Sequence, residues 1–283
     1  MAGEQQSLCI LAGGGALPLL IANEAIAAGR SVHILAIKGA FGDLASAPCP
    51  TTAVGIGQVG GMLEALKRHG CDELVIAGSV ERPELSQISL DLGGIMSLPQ
   101  AVTMLLGGDN SLLSNVVRFF ESKGFRVIGA QDVAPGLLAG AGPIGRVRPG
   151  SEAQGDIERG LTIIRALGAL DIGQATVVAK GYTLAVEAAE GTDSLLERVA
   201  DLRRRKGWLS GRRSGVLVKR AKPGQDRRVD LPTIGPRTVE LAAAANLAGI
   251  GVQSGSVLLI ERARIMALAD AAGLFVTGVG DGD

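Results

Sequence analysis

The chain has 283 residues, of which 47% are apolar and 2% aromatic, and its 28 basic residues balance 28 acidic ones. This length and apolar content suit two ordinary globular domains or one large one, whereas balanced charge and scarce stacking platforms argue against a nucleic-acid binder. Cys9, Cys49 and Cys71 are scattered and lack the spacing of a disulfide framework or zinc site, no segment has the form of an export signal, and no apolar run reaches the ~18 residues that span a bilayer, so a protein of the reducing cytoplasm is expected.

From Leu8 the pattern alternates as in an α/β protein. SLCILA is a β-like run ending in three glycines, PLLIANEAIAAG has helical spacing with a glycine stop, and SVHILAI is a second β-like run. TAVGIG, the helical GGMLEALKRHG, the strand ELVIAG, helices near PQAVTMLL and SLLSNVVRFFESKG, and the strand FRVIGA continue the order. A doubly wound, Rossmann-like sheet over 1–133 follows. Residues 134–150, APGLLAGAGPIGRVRPG, are crowded with Gly and Pro and read as an interdomain linker.

Residues 151–283 read as a second, mixed α/β domain. A helix is expected over about 154–167, followed by ATVVA and TLAVEA as a hairpin around Lys180 and Gly181, and a helix from about Gly191. GVLVKRA and RRVDLP read as a second β pair around the loop KPGQD, and the helix after GPRTVE leads to a closing strand, helix and strand (VLLIE, RARIMALADAAG, LFVTG).

Gly13, Gly14 and Gly15 stand where the first strand meets the first helix, a place where backbone N–H groups can cradle a phosphate; a tight turn without a ligand fits them equally. The dinucleotide fingerprint is broken, because Pro18 occupies the third glycine position and Ile37 and Lys38 end the second strand where a ribose-binding acid is needed. Ser79 falls on the same sheet edge. Asp109 and Asn110 can contact a uracil or ribose, or cap the helix that follows. His33, within an apolar run, and His69, at a helix end, lack the neighbours of a zinc site or a nucleophile–histidine pair.

Carboxylates and lysines remain. Glu187, Glu190 and Asp193 cluster where a strand hands over to a helix, Asp226 sits in a loop with Lys219 and Lys222 near it, and hard oxygen ligands of this kind suit Mg²⁺ or Mn²⁺. Gly191 and Thr192 open the same helix and can offer N–H groups to a phosphate. Thr192 or Asp193 as an N-cap and Asp226 as a turn residue are the structural alternatives. The basic run Arg203 to Lys206, with Trp208 and Arg212 to Arg213 after it, reads as a solvated helix end.

LAGGGALP near the N-terminus, IAGSVERP at 76–83, GDNSLL at 108–113, AVEAAEGTDSLL at 185–196 and KPGQDRRVDLPTIGP at 222–236 occur in that order. Together they resemble the UDP-2,3-diacylglucosamine pyrophosphatases of lipid A biosynthesis, in the type found in alpha-proteobacteria and other bacteria that lack the metallophosphoesterase-like enzyme. The resemblance spans nearly the whole chain. It implies two linked domains that hydrolyse the phosphoanhydride with Mg²⁺, water attacking the α-phosphorus to give UMP and 2,3-diacylglucosamine 1-phosphate (lipid X). It also implies an essential aspartate in the GQD loop, here Asp226 next to Gln225. Glu187, Glu190 and Asp226 are then candidate metal ligands, Asp226, Glu190 and Asp193 candidate catalytic acids, and Lys180 and Lys219 candidate counter-charges for phosphate.

The substrate leads us to expect peripheral contact with the inner membrane at its cytoplasmic face, and a homo-oligomer is compatible with the sequence. A nucleotide-sugar-binding protein without turnover, or a glycosyltransferase using a UDP-sugar, would share the nucleotide half and the acids.

Overall fold

The computed structural model describes residues 7–42, 44–80, 109–205 and 211–280, with the side chains of 109–112 left aside. The expected helix near PQAVTMLL, and Lys206 and Trp208 of the basic run, lie outside these residues. The chain divides into two units, one of 1–135 with 226–230 and one of 136–225 with 231–283.

In the first unit, β1 (Leu8–Ala12), β2 (Val32–Ile37), β3 (Thr51–Val54), β4 (Glu73–Ala77) and β5 (Arg126–Val127) alternate with α1 (Leu17–Ala27), α2 (Val59–Arg68) and α3 (Asp109–Ser122), and α4 (Ala130–Val133) follows. The strands form one parallel sheet in the order β3-β2-β1-β4-β5. Central parallel strands are covered on both faces and so read as unbroken apolar runs. All five residues of β1 are buried, as are all six of β2. Leu11, Leu35 and Leu74 pack on one face with Met62 and Leu66 of α2 and Val117 and Phe120 of α3. Ile21, Ala22 and Ala25 are the buried stripe of α1.

Two contacts escaped the sequence reading. Cys9 and Cys71 are joined by a disulfide, with Cα atoms 5.6 Å apart although 62 positions separate them. This corrects the expectation of three unpaired cysteines; the turn from α2 into β4 brings Cys71 back beside β1. His33 lies in its strand as expected, but its ring stacks on His69 with centroids 3.5 Å apart, and its Nε2 is 2.9 Å from Thr52 Oγ1.

Loss of hydration and the neighbouring His69 hold the His33 pKa down at about 4, against an ordinary 6.5. The folded state therefore binds fewer protons than the unfolded state between these values. His33's contribution to stability is present in full above pH 6.5 and disappears as pH falls toward 4. The urea midpoint of the native protein is expected to drop over this window by the equivalent of about 1–3 kcal/mol. A His33→Leu variant, having nothing to protonate there, should lose that part of the drop; identical pH profiles for the two proteins would refute the assignment.

The second unit contains β6 (Gly142–Pro143), α5 (Ser151–Gly168), β7 (Ala175–Ala179), β8 (Tyr182–Val186), α6 (Gly191–Arg205), β9 (Val216–Lys219), β10 (Thr233–Ile234), α7 (Pro236–Ala244), β11 (Gly249–Gln253), β12 (Leu258–Leu259), α8 (Arg262–Ala272) and β13 (Phe275–Val279). Six strands form a mixed sheet, β6-β13-β11-β9-β7-β8, in which β13, β11 and β9 run parallel and the outer pairings are antiparallel. β10 and β12 pair separately. Alternation along β9 assigns the two faces: Val216 and Val218 pack with Ile157, Leu161 and Ile164 of α5, while Leu217 joins Leu195, Val199, Val239 and Ile265 from α6, α7 and α8. Each fully buried aliphatic side chain contributes about 1.5–3 kcal/mol.

The hairpin β7–β8 forms as read, with Lys180 and Gly181 both at positive φ, the conformation that the right-handed twist of a two-residue hairpin demands. Three readings change. The stretch taken for a linker is, from Gly136 on, part of the second unit: Ala139 and Ile144 are buried, Ile144 N–H donates to Val276 O at 2.8 Å, and β6 is an edge strand on β13. RRVDLP is not a strand; its residues up to Asp230 turn and cluster with the first unit, where Val229 packs against the core. GIGVQ, unread at first, is the central strand β11. A Cβ on Gly249 would come within 2.4 Å of the Phe275 ring and one on Gly251 within 3.0 Å of Ile157, so close packing there needs the residue type that blurs a strand signal.

Candidate functional site

In a parallel sheet of order 3-2-1-4-5, ligands bind beyond the carboxyl ends of the strands, where the winding reverses between β1 and β4. Those two ends carry Gly13, Gly14 and Gly15, and Gly78 and Ser79. The two loops are clasped together. Gly13 N–H donates to Ala77 O (2.8 Å), Gly14 N–H to Ser79 O (2.7 Å) and Ser79 N–H to Gly14 O (3.0 Å). A Cβ on Gly13 would fall 2.5 Å from Ser79 O, and one on Gly78, at φ +92°, 2.6 Å from Gly14 O. Close backbone approach thus accounts for these glycines, and the amides of Gly13 and Gly14 already have partners. Gly15, at φ +89°, has nothing near its Cβ position. Asp109 and Asn110 begin α3, and their side chains lie outside the described residues.

Asp226 also belongs to the first unit. Asp226 O accepts from Val229 N–H at 3.2 Å and Asp230 N–H at 3.1 Å, closing a compact turn. Arg228 grips the carboxylate with one edge of its guanidinium: Nε donates to Oδ1 at 2.9 Å and Nη2 to Oδ2 at 2.8 Å, and the Arg228 backbone N–H reaches Oδ1 at 3.1 Å. Arg228 Nη1 donates to Glu121 Oε1 of α3 at 2.6 Å. The Arg228 side-chain hydrogen bonds hold the Asp226 pKa below its ordinary value, outweighing partial burial, which acts the other way. The carboxylate is thereby ionised and fixed in orientation.

The second unit has its own polar centre at the carboxyl ends of β8 and β9. Lys219 Nζ donates to Thr192 Oγ1 at 2.8 Å, Thr192 Oγ1 donates to Glu187 Oε1 at 2.5 Å, and Gln174 N–H donates to Glu187 Oε2 at 2.8 Å. Lys219 and Glu187 are each 5% exposed. Gln253 Oε1, at the end of β11, accepts from Ala221 N–H at 3.2 Å. Gln225 is buried; its Oε1 accepts from Lys222 N–H at 2.9 Å, while its Nε2 has no hydrogen-bond partner. Gly191, at φ +80°, opens α6.

Sequence reasoning placed Glu187 and Thr192 in one stretch and Lys219 near Asp226; the structure joins Lys219, Thr192 and Glu187 in one chain of hydrogen bonds. It does not bring Lys180 to Lys219. β7 is antiparallel to β9 with Ala175 opposite Lys219, so Lys180, beyond the far end of β7, lies at the other edge of the sheet. There its N–H and that of Gly181 donate to the buried Asp156 of α5 at 3.0 and 2.7 Å. Nor do the carboxylates gather. Glu190 pairs with Arg198 at 2.7 Å and Asp193 with Arg237 at 2.6 Å. Among the described residues no group of three His, Cys, Asp or Glu side chains could hold a metal. Arg228, Glu121, Asp156 and Gln174 were not singled out from sequence; only Arg228, two positions after Asp226 in a quoted motif, carried a signal.

Residues 7–137 match the LpxI N-terminal domain and residues 140–277 the LpxI C-terminal domain. A protein from Caulobacter vibrioides named UDP-2,3-diacylglucosamine pyrophosphatase LpxI is 43% identical over 274 residues, 97% of this chain and 98% of that protein. Among solved structures, CobK precorrin-6A reductase is 13% identical with a TM-score of 0.31, covering 98% of this chain and 89% of that one. The UDP-glucose 4-epimerase of Thermus thermophilus, in complex with NAD, is 15% identical with a TM-score of 0.32, covering 97% and 86%. Neither of these structural likenesses carries weight. The two domain matches, in order along one chain, and the full-length relative place this protein in the LpxI family.

Proposed function

We propose that the protein hydrolyses UDP-2,3-diacylglucosamine by attack of water on the α-phosphorus, releasing UMP and 2,3-diacylglucosamine 1-phosphate (lipid X), in a Mg²⁺-dependent reaction. The observation that carries this reading is the full-length likeness to the Caulobacter vibrioides protein of that name. A new P–O bond forms from the water, the bond from the α-phosphorus to the bridging oxygen breaks, and that oxygen leaves on the lipid phosphate. Asp226 takes the water's proton. It suits this role because Arg228 holds its carboxylate in one orientation; general-base assistance of this kind is worth about 10²–10⁴ in rate.

Mg²⁺ typically takes one or two protein carboxylates and completes its shell with water and phosphate oxygens. Glu187, Glu190 and Asp193 each have another partner. Asp226, 17% exposed, is the carboxylate best suited to meet such an ion. When bound, the ion would neutralise charge on the diphosphate and make the leaving phosphate less basic. Lys219 and the amides at the start of α6, with the unpartnered Gln225 Nε2, suit phosphate or sugar oxygens. The strand ends at Gly15 and Ser79 suit the uridine half, with Asp109 and Asn110 as further contacts. Among the described residues no helix is long and apolar enough to cross a membrane; the two acyl chains of the substrate would bring the enzyme to the cytoplasmic face of the inner membrane.

The test is turnover of UDP-2,3-diacylglucosamine with Mg²⁺ in ¹⁸O-labelled water. Label in UMP is the expected result. Label in the lipid phosphate would move the attack to the other phosphorus. Release of UDP only when an acceptor sugar is added would make the protein a transferase, and binding without any release would make it a carrier.

A further inference from the structure

We infer that Arg228, itself anchored by Glu121, is the positioning residue of the reaction: it aims the Asp226 carboxylate, and Glu121 aims Arg228. This rests on the reading of Asp226 as the group that receives the water's proton. The two residues belong to neither the glycine loops nor the lysine–threonine–glutamate chain.

Asp226 stands in a turn outside any helix or strand, in five residues of the second half of the sequence that cluster with the first unit. A carboxylate there would rotate freely about two side-chain torsions. A general base loses most of its effect when misdirected by an ångström or so. Arg228 removes that freedom by a two-pronged contact, at 2.9 Å to Oδ1 and 2.8 Å to Oδ2. The planar guanidinium fork matches a carboxylate edge in a way an ammonium cannot.

Arg228 also sits in the turn, and a long side chain has rotamers of its own. Its remaining nitrogen, Nη1, is tied at 2.6 Å to Glu121 Oε1 in the last turns of α3, a regular helix whose Val117 and Phe120 are in the core. The order of rigidity is thus core, helix, Glu121, Arg228, Asp226. The sequence separation from Glu121 to Arg228 is 107. Asp226 Oδ1 also accepts from the Arg228 backbone N–H, whereas Oδ2 accepts from Nη2 alone and keeps a second lone pair for a water. The side chains of Glu121 and Arg228 are 40% and 36% exposed, so as a surface ion pair they would add little to stability. Their value lies in orientation.

The test is steady-state kinetics on the full-length enzyme with four variants, with circular dichroism as a check that each is folded. Glu121→Ala is expected to lower kcat on the order of 10-fold with KM within about twofold. Glu121→Gln, whose Oε1 still accepts from Arg228, should restore most of the rate. Arg228→Lys keeps the charge but loses the fork, and Arg228→Met removes both, so kcat should fall in each with KM within about twofold. Equal rates for Glu121→Ala and native enzyme, or for Arg228→Met and native enzyme, would overturn the inference. Asp226→Asn separates the two levels: if it is inactive while the four variants behave as native, only the positioning role fails, and if it is active the reading of Asp226 fails with it.

Discussion

Asp226→Asn is expected to reduce UMP release by about 10²–10⁴ while leaving the fold and substrate affinity nearly intact. The exchange is close to isosteric. The Asn side-chain oxygen can still accept from the Arg228 backbone and side chain, which meet Asp226 Oδ1 at 3.1 and 2.9 Å. It cannot take a proton. Single-turnover measurement isolates the chemical step from product release. If the carboxylate serves mainly by holding Mg²⁺, raising the ion concentration should recover part of the lost rate; a base leaves no such route. A variant that keeps more than a tenth of native turnover would remove Asp226 from the chemistry.

Glu187→Ala is expected to lower the unfolding free energy by about 3–5 kcal/mol, read from urea denaturation. Glu187 is buried, and its two oxygens receive Thr192 Oγ1–H and Gln174 N–H. Its removal strands those donors and leaves the charge of Lys219, also buried and bonded to Thr192, without its compensating carboxylate. Adding Lys219→Met to Glu187→Ala should recover part of the loss, since the buried charge goes with it. A Glu187 that acts as a metal ligand would behave differently: truncation would weaken the Mg²⁺ dependence and leave the metal-free protein as stable as before. An unchanged urea midpoint would therefore favour a metal role over the structural one.

Much of the architecture was legible because it depends on local pattern. LCILA and VHILAI are unbroken apolar runs of strand length, and parallel strands buried on both faces are the usual reason for such runs. Lys180-Gly181 between two β-like runs signals a tight hairpin because both positions need positive φ. The candidate site was legible where its residues share a stretch: Glu187 and Thr192 are five apart, and the strand-end glycines are consecutive. GIGVQ was illegible because Gly249 and Gly251 are present for the sake of Phe275 and Ile157, which approach from elsewhere in the chain. RRVDLP alternates like a strand, yet has no ladder to join.

What the sequence by itself determined, then, is the alternation of strands and helices, the broken dinucleotide fingerprint and the family to which the ordered motifs point, all of which follow from residue periodicity and local conformational preference. Only the tertiary structure decided the partners. The Cys9–Cys71 bridge, the stacked His33 and His69, the grip of Glu121 on Arg228 and the separation of Lys180 from Lys219 are set by strand order and direction, which bring together residues tens of positions apart. The same holds for the acids of AVEAAEGTDSLL: the sequence places them close together, but the buried Lys219 and the arginines at 198 and 237 direct each toward a different partner. A carboxylate's charge belongs to its residue, whereas its role depends on what the fold packs against it, and those contacts are not encoded in any one stretch of chain.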